Sequence, residues 1–282
     1  MKKIIQIIIT VCLCFIGFCA FIFIAQDGMI FHHVHDPVSR SRLKELPEFH
    51  EVEFIGTNGK TYHGMLRKDG DQVRPLILYF GGNGEVSYSH MWFREQMGHW
   101  DLFEGFHYLF VDYDGYGLNS GRTHYRNMYE GALEIFDYAS SLSFVDTKKI
   151  VVMGFSIGTG SAVYLSANRP VQATILISPY ANGFDLFNNV LPIFHGPLRH
   201  LVRQRIPSDL YARKITTPTL VIASQADRIV PYSSSVQLSH ELAGEVTMVT
   251  LERASHNDVL TDRNTNQNIH WFLMNLRASD RI

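Results

Sequence analysis

A serine stands between two glycines in Gly154-Phe155-Ser156-Ile157-Gly158, directly after the apolar run Ile150 to Met153. At a strand-to-helix junction, a G-x-S-x-G turn forces its serine into a strained backbone and lifts the hydroxyl to a helix N-terminus. Side chains two positions before and after would collide there, so Gly154 and Gly158 are read as the elbow around Ser156. The pattern alone would arise about 0.1 times by chance in a chain this long, so its surroundings must decide. A serine hydroxyl is a poor nucleophile without a base, and the base needs an orienting group. Asp227 follows the apolar run at 219–223, and His256 follows the run at 246–251. The chain order Ser156, Asp227, His256 suits a nucleophile, an acid and a base carried on strand ends. Asp227 would equally serve as a turn residue, and Asp258 and Asp185 are rival acids. The chemistry of such a set is acyl transfer, with the N–H of Ile157 as one oxyanion donor.

These side chains need a sheet to hold them. The alternating segments 51–56 and 61–67 flank Thr57-Asn58-Gly59-Lys60, which reads as a β-hairpin. Short apolar runs follow at 76–80, 108–112, 150–153, 173–178, 219–223 and 246–251. Continuous apolar strands suggest burial on both faces. Helical patterns near 87–103, 123–142, 157–168, 232–243 and 257–277 alternate with them. The expected fold class is α/β, a mainly parallel central sheet with helices on both faces. Ligands of such sheets sit at the carboxyl ends of the strands. Residues 180–214 break the alternation and are read as a short cap, rich in Phe184, Phe187, Leu191, Ile193 and Phe194. Asp112 and Asp114, in the Asp-Tyr-Asp-Gly-Tyr-Gly stretch, are expected in a loop shaping the pocket floor.

The stretches YFGGNGE (79–85), VDYDGYGLNSG (111–121), GFSIGTG (154–160), PTLVIASQADRIVP (218–231) and SHND (255–258) carry a resemblance. From about 51 to 277 the sequence resembles the α/β-hydrolase superfamily. Within it, the sequence is similar to BEM46-like and ABHD13/ABHD17-like serine hydrolases, also described as serine aminopeptidase-type domains. The resemblance implies Ser156 as nucleophile, Asp227 as orienting acid and His256 as general base. It also implies Asn83 as the second backbone oxyanion donor, by matching YFGGNGE to the family's usual H-G-N pattern. Gly81 stands where the family often has histidine, which leaves open what supports that loop.

The chain has 282 residues, 46% hydrophobic and 18% charged, with a formal net charge of −2. That suits one large α/β domain with a sizeable core and leaves no electrostatic footprint for nucleic acid. Cys12, Cys14 and Cys19 are its only cysteines, so the remainder has neither a disulfide framework nor a cysteine metal site. Residues 4–25 carry no charge. As a helix they would run about 33 Å, enough to cross a bilayer core of roughly 30 Å. Lys2 and Lys3 precede the run and Arg40 is the first basic residue after it. This charge asymmetry favours a single-pass anchor with the catalytic domain outside the cytoplasm, periplasmic if the source is bacterial. A cleaved signal peptide is the rival reading, with Gly17-Phe18-Cys19 as a passable cleavage site.

The expected organisation is therefore an N-terminal membrane anchor over 1–25, a hydrated tether over 26–48 and a hydrolase domain over 49–282 with its cap near 180–214. His32, His33 and His35 cluster in the tether, but no cysteine or acidic pattern beside them supports a metal site. The expected function is a membrane-anchored serine hydrolase acting on carboxylic esters or thioesters of small-molecule or lipid-like acyl groups. It would use no metal or organic cofactor and no nucleic acid partner, and the oligomeric state stays open. An aminopeptidase-like enzyme and a catalytically inactive binding protein of the same fold are the alternatives.

Overall fold

The computed structural model of the chain describes residues 2–190, 192 and 194–279. It begins with α1 (Lys2–Ile30) and the short α2 (Pro37–Leu43). The stretch Lys2–Gly28 of α1 is long and apolar enough to cross a membrane, and most of its side chains are exposed. The sheet then starts with β1 (Phe49–Ile55) and β2 (Thr61–Arg67), an antiparallel pair. Asn58-Gly59 makes the turn: Gly59 takes φ +77°, and the Gly56 N–H donates to Lys60 O at 2.9 Å. A positive φ costs glycine little, which is why the hairpin closes there.

Alternation follows as β3 (Arg74–Phe80), α3 (Ser87–Met97), β4 (His107–Val111), α4 (Tyr125–Ser141), β5 (Val145–Phe155), α5 (Gly158–Ser166) and β6 (Ala173–Ile177). The cap holds α6 (Gly183–Val190), a 3-10 turn at Gly196–Leu201 and α7 (Ser208–Ala212). Leu191 and Ile193, counted in the aromatic-rich cap, lie outside the described residues. The chain closes with β7 (Thr219–Ser224), α8 (Tyr232–Glu241), β8 (Val246–Leu251) and α9 (Arg263–Ser279). The eight strands lie in the order β1-β2-β4-β3-β5-β6-β7-β8. β2 meets β4 antiparallel, and every pair from β4 onward is parallel. The centre is dry: every residue of β4, β6 and β7 is buried.

Three expectations need correction. β8 is apolar in sequence, yet only Leu251 is buried and Thr250 is exposed. It lies at the edge of the sheet with one strand neighbour, so its side chains are covered less than those of the central strands. α9 starts at Arg263 and not near 257, because Asp262 Oδ1 accepts the N–H groups of Asn264 (2.8 Å) and Thr265 (3.1 Å) and caps the helix there. The hydrated tether of 26–48 is a packed segment. Phe31 and Leu43 are buried in the core. Asp36 caps α2 through Ser39 N–H and also accepts from Ser89 Oγ, while Arg40 and Lys44 pair with Glu51 at 2.5 and 2.8 Å.

Candidate active site

The elbow forms because two close approaches admit only glycine. A Cβ on Gly154 would come within 2.9 Å of Ala162 Cβ and 2.8 Å of Gly158 O. One on Gly158 would run into Phe80 O. Between them Ser156 takes φ +51°, the left-handed region that costs a non-glycine residue about 1 kcal/mol or more. Its N–H donates to Ile177 O at 2.9 Å, which ties the strained residue to β6. Small residues in α5, from Gly158 to Ala162, let the helix start against the sheet.

Above this turn, His256 Nε2 lies 2.9 Å from Ser156 Oγ, and His256 Nδ1 lies 2.7 Å from Asp227 Oδ2. The pairing fits the tautomer in which Nδ1–H donates to Asp227 and Nε2 accepts the serine O–H. Phe155 stacks on the imidazole at 5.1 Å between ring centres. Ser224 Oγ donates to Ala254 O at 2.6 Å, fastening the histidine loop to the end of β7. Asp227 makes two kinds of contact. Oδ1 accepts the N–H groups of Ile229 (2.8 Å) and Val230 (2.9 Å) and shapes the turn, while Oδ2 takes the histidine. Burial would raise its pKa, but the hydrogen bond and charge attraction of His256 and the two amides outweigh it. The carboxyl is held below its ordinary value. The rival acids are engaged elsewhere, Asp258 with Ser255 and Asp185 with Ser234.

Asn83 and Ile157 line one cavity with Ser156, of about 320 Å³, at the small end of the roughly 300–1,000 Å³ usual for ligand sites. Among the described residues, neither the Asn83 N–H nor the Ile157 N–H finds an acceptor. The Asn83 side chain is committed to its neighbours, with Oδ1 accepting Tyr116 O–H at 2.7 Å. The support that Gly81 left open comes from Glu85, which the glycine pattern of the loop does not mark. Glu85 Oε2 accepts Gly82 N–H (2.6 Å) and Tyr79 O–H (3.0 Å), and His90 Nδ1 lies 2.6 Å from Oε1. Burial opposes ionisation of Glu85, yet its pairing with His90 and these hydrogen bonds hold its pKa below the usual range. Burial lowers that of His90, whose Nε2 accepts Arg94 Nε–H at 2.8 Å. A side chain at 81 would meet the Phe110 ring, so the loop is glycine where β4 presents an aromatic.

Asp112 does not shape this cavity. Its carboxylate accepts Ser87 N–H (2.6 Å) and Ser87 O–H (3.0 Å) at the start of α3, and it lines a separate cleft with His63 and Glu53. Asp114 pairs with Lys60 at 2.6 Å. The three tether histidines diverge: His32 meets Asn83, His33 meets Gly115 O, and His35 faces Tyr88.

Residues 122–259 match the dienelactone hydrolase family. An uncharacterized protein of Mycobacterium tuberculosis is 33% identical over 154 residues, 55% of this chain and 54% of that protein. The alpha/beta hydrolase domain-containing protein 17C of Homo sapiens is 28% identical over 148 residues, 52% of this chain and 43% of that protein. The chain thus spans about half the length of the curated relatives it matches. Among solved structures, an esterase of Pyrococcus furiosus superposes with a TM-score of 0.69 at 16% identity, covering 87% of this chain and 96% of the esterase.

Proposed function

For a chain with the α/β-hydrolase fold and a sequence similar to that of the alpha/beta hydrolase domain-containing protein 17C, we propose a serine hydrolase of carboxylic esters or thioesters with apolar acyl groups. The observation that carries this reading is the chain of contacts from Asp227 through His256 to Ser156, 2.7 and then 2.9 Å long, ending at an apolar cavity. His256 takes the Ser156 proton as Oγ attacks the acyl carbonyl. The oxyanion forms against the N–H groups of Ile157 and Asn83. Asp227 keeps the imidazole in the useful tautomer and stabilises its cationic form, which then protonates the leaving group. Water, activated by the same histidine, attacks the acyl-serine and restores the enzyme.

Leu186, Phe187, Phe194 and Ile229 make the acyl side of the cavity apolar, and no carboxylate lines it among the described residues. An aminopeptidase would want such a carboxylate to hold the substrate amine, so an ester or thioester fits better. Fluorophosphonate labelling is the direct test. Wild type is expected to label and to hydrolyse p-nitrophenyl esters, and Ser156→Ala is expected to lose both. Labelling retained by Ser156→Ala refutes Ser156 as the nucleophile, and labelling absent from wild type refutes the hydrolase reading and favours a binding protein.

The reading includes α1 as a membrane anchor, supported by its length and apolar exposed surface and by Lys2 and Lys3 ahead of it. The catalytic domain would then lie outside the cytoplasm. The protein is expected to stay in the membrane fraction through alkaline carbonate washing; release by the wash, or a mature protein lacking residues 1–19, would speak for a signal sequence.

A further inference from the structure

One face of α1 does not suit a plain membrane span. Ile22 and Gln26 are buried, although Phe21 and Ile24 beside them are 61% and 74% exposed. Ile22, Gln26 and Ile30 recur every four residues, so they share one helix face. All three line the cavity that contains Ser156. Gln26 holds that face in register with the cap. Its Nε2 donates to Leu201 O at 2.9 Å, and its Oε1 accepts Arg203 N–H at 2.7 Å. Asp27 adds contacts with Gln204 Nε2 (2.7 Å) and Arg203 Nη1 (3.2 Å). On the other side, Asn83 Nδ2 donates to Ile30 O at 2.5 Å, and His32 N–H donates to Asn83 Oδ1 at 3.0 Å. The end of α1 therefore bridges the cap and the loop carrying the second oxyanion donor.

We propose that the Ile22–Gln26–Ile30 face of α1 is a wall of the acyl-binding site and determines which acyl chain lengths are accepted. This rests on the serine hydrolase reading. The acyl chain lies between that face and Phe187 and Phe194 of the cap. Gln26 has no role in recognising it beyond keeping the wall in place, because both ends of its amide are already satisfied. Widening or narrowing the wall at Ile22 changes the space for the far end of the chain and leaves the reacting carbonyl where it is.

The full-length chain in detergent micelles would be assayed with p-nitrophenyl butyrate and p-nitrophenyl dodecanoate. Ile22→Trp is expected to lower the dodecanoate-to-butyrate ratio of kcat/KM by about tenfold or more, the scale on which pocket volume discriminates apolar groups. Ile22→Ala is expected to raise the ratio. Ile16→Trp, on an exposed stretch of the same helix, is expected to leave it unchanged. An unmoved ratio in both Ile22 variants overturns the proposal, and so does an equal shift in Ile16→Trp. The parent reading fails separately, through a wild-type chain that does not react with fluorophosphonate.

Discussion

Two aspartates sit just past the carboxyl ends of buried strands, Asp112 after β4 and Asp227 after β7, and both side chains are withdrawn from water. Their surroundings set them apart. Asp227 has an imidazole on one oxygen and two amides on the other, and its pKa falls. Among the described residues, Asp112 has only Ser87 to accept from; burial dominates and its pKa is pushed up to about 7. Position at a strand end brings a carboxylate to a functional edge, but only a partner that can carry positive charge keeps it ionised there. One aspartate thereby stays a carboxylate against an imidazole, and the other holds the start of a helix.

The largest expected effect is on the β7 side. Asp227→Asn should lower kcat by about 10³–10⁴-fold, because an amide turned toward Nδ1 favours the wrong tautomer. Circular dichroism should show the fold retained. A loss below about tenfold would mean that His256 is oriented by something else, and the contrast between the two aspartates would lose its meaning. Asp112→Asn should leave ester hydrolysis close to wild type and act on stability instead. Between the ordinary carboxylate pKa and about 7, the folded chain keeps a proton on Asp112 that the unfolded chain releases. Stability from this group is present at low pH, falls as pH rises through that window, and levels off above it. Asp227 acts with the opposite sign: its contribution is present above the ordinary carboxylate pKa and is lost on acidification. Urea midpoints measured from pH 4 to pH 8 should therefore fall less steeply in Asp112→Asn than in wild type. Identical slopes would remove Asp112 as the cause.

The signals that local sequence carries were readable in advance. Asn58-Gly59 marks a hairpin because positive φ is a local demand. Ser156 between two glycines marks the elbow because a helix starting directly on a strand end leaves no room for side chains at 154 and 158. Asp227 and His256 could be placed because each follows an apolar run that becomes a strand. What escaped depends on partners far along the chain. Gln26 meets Leu201 across 175 positions, so the packing of 26–48 has no local signature and its polar residues read as a tether. Glu85 stands in a stretch singled out for its glycines, and its support of Gly82 follows from the loop curling back three residues, which the types alone do not reveal. β8 looks like an interior strand, since nothing in Val246–Leu251 states that, among the described residues, it ends the sheet.

The docking of Gln26 and Asp27 on the cap also bears on how the molecule could be shut down. If α1 is the anchor, as proposed, a protease that severed the backbone between Ile30 and Phe31 would leave noncovalent contacts, those of Gln26, Asp27 and Ile30 among them, to hold the globular part; once these let go, it comes free with its serine, imidazole and carboxylate still in contact. It would leave with the groove unroofed on one flank and water admitted beside the hydroxyl. If α1 is the anchor and Ser156 the nucleophile, as proposed, shedding from the membrane and loss of the long-chain acyl site would be a single event.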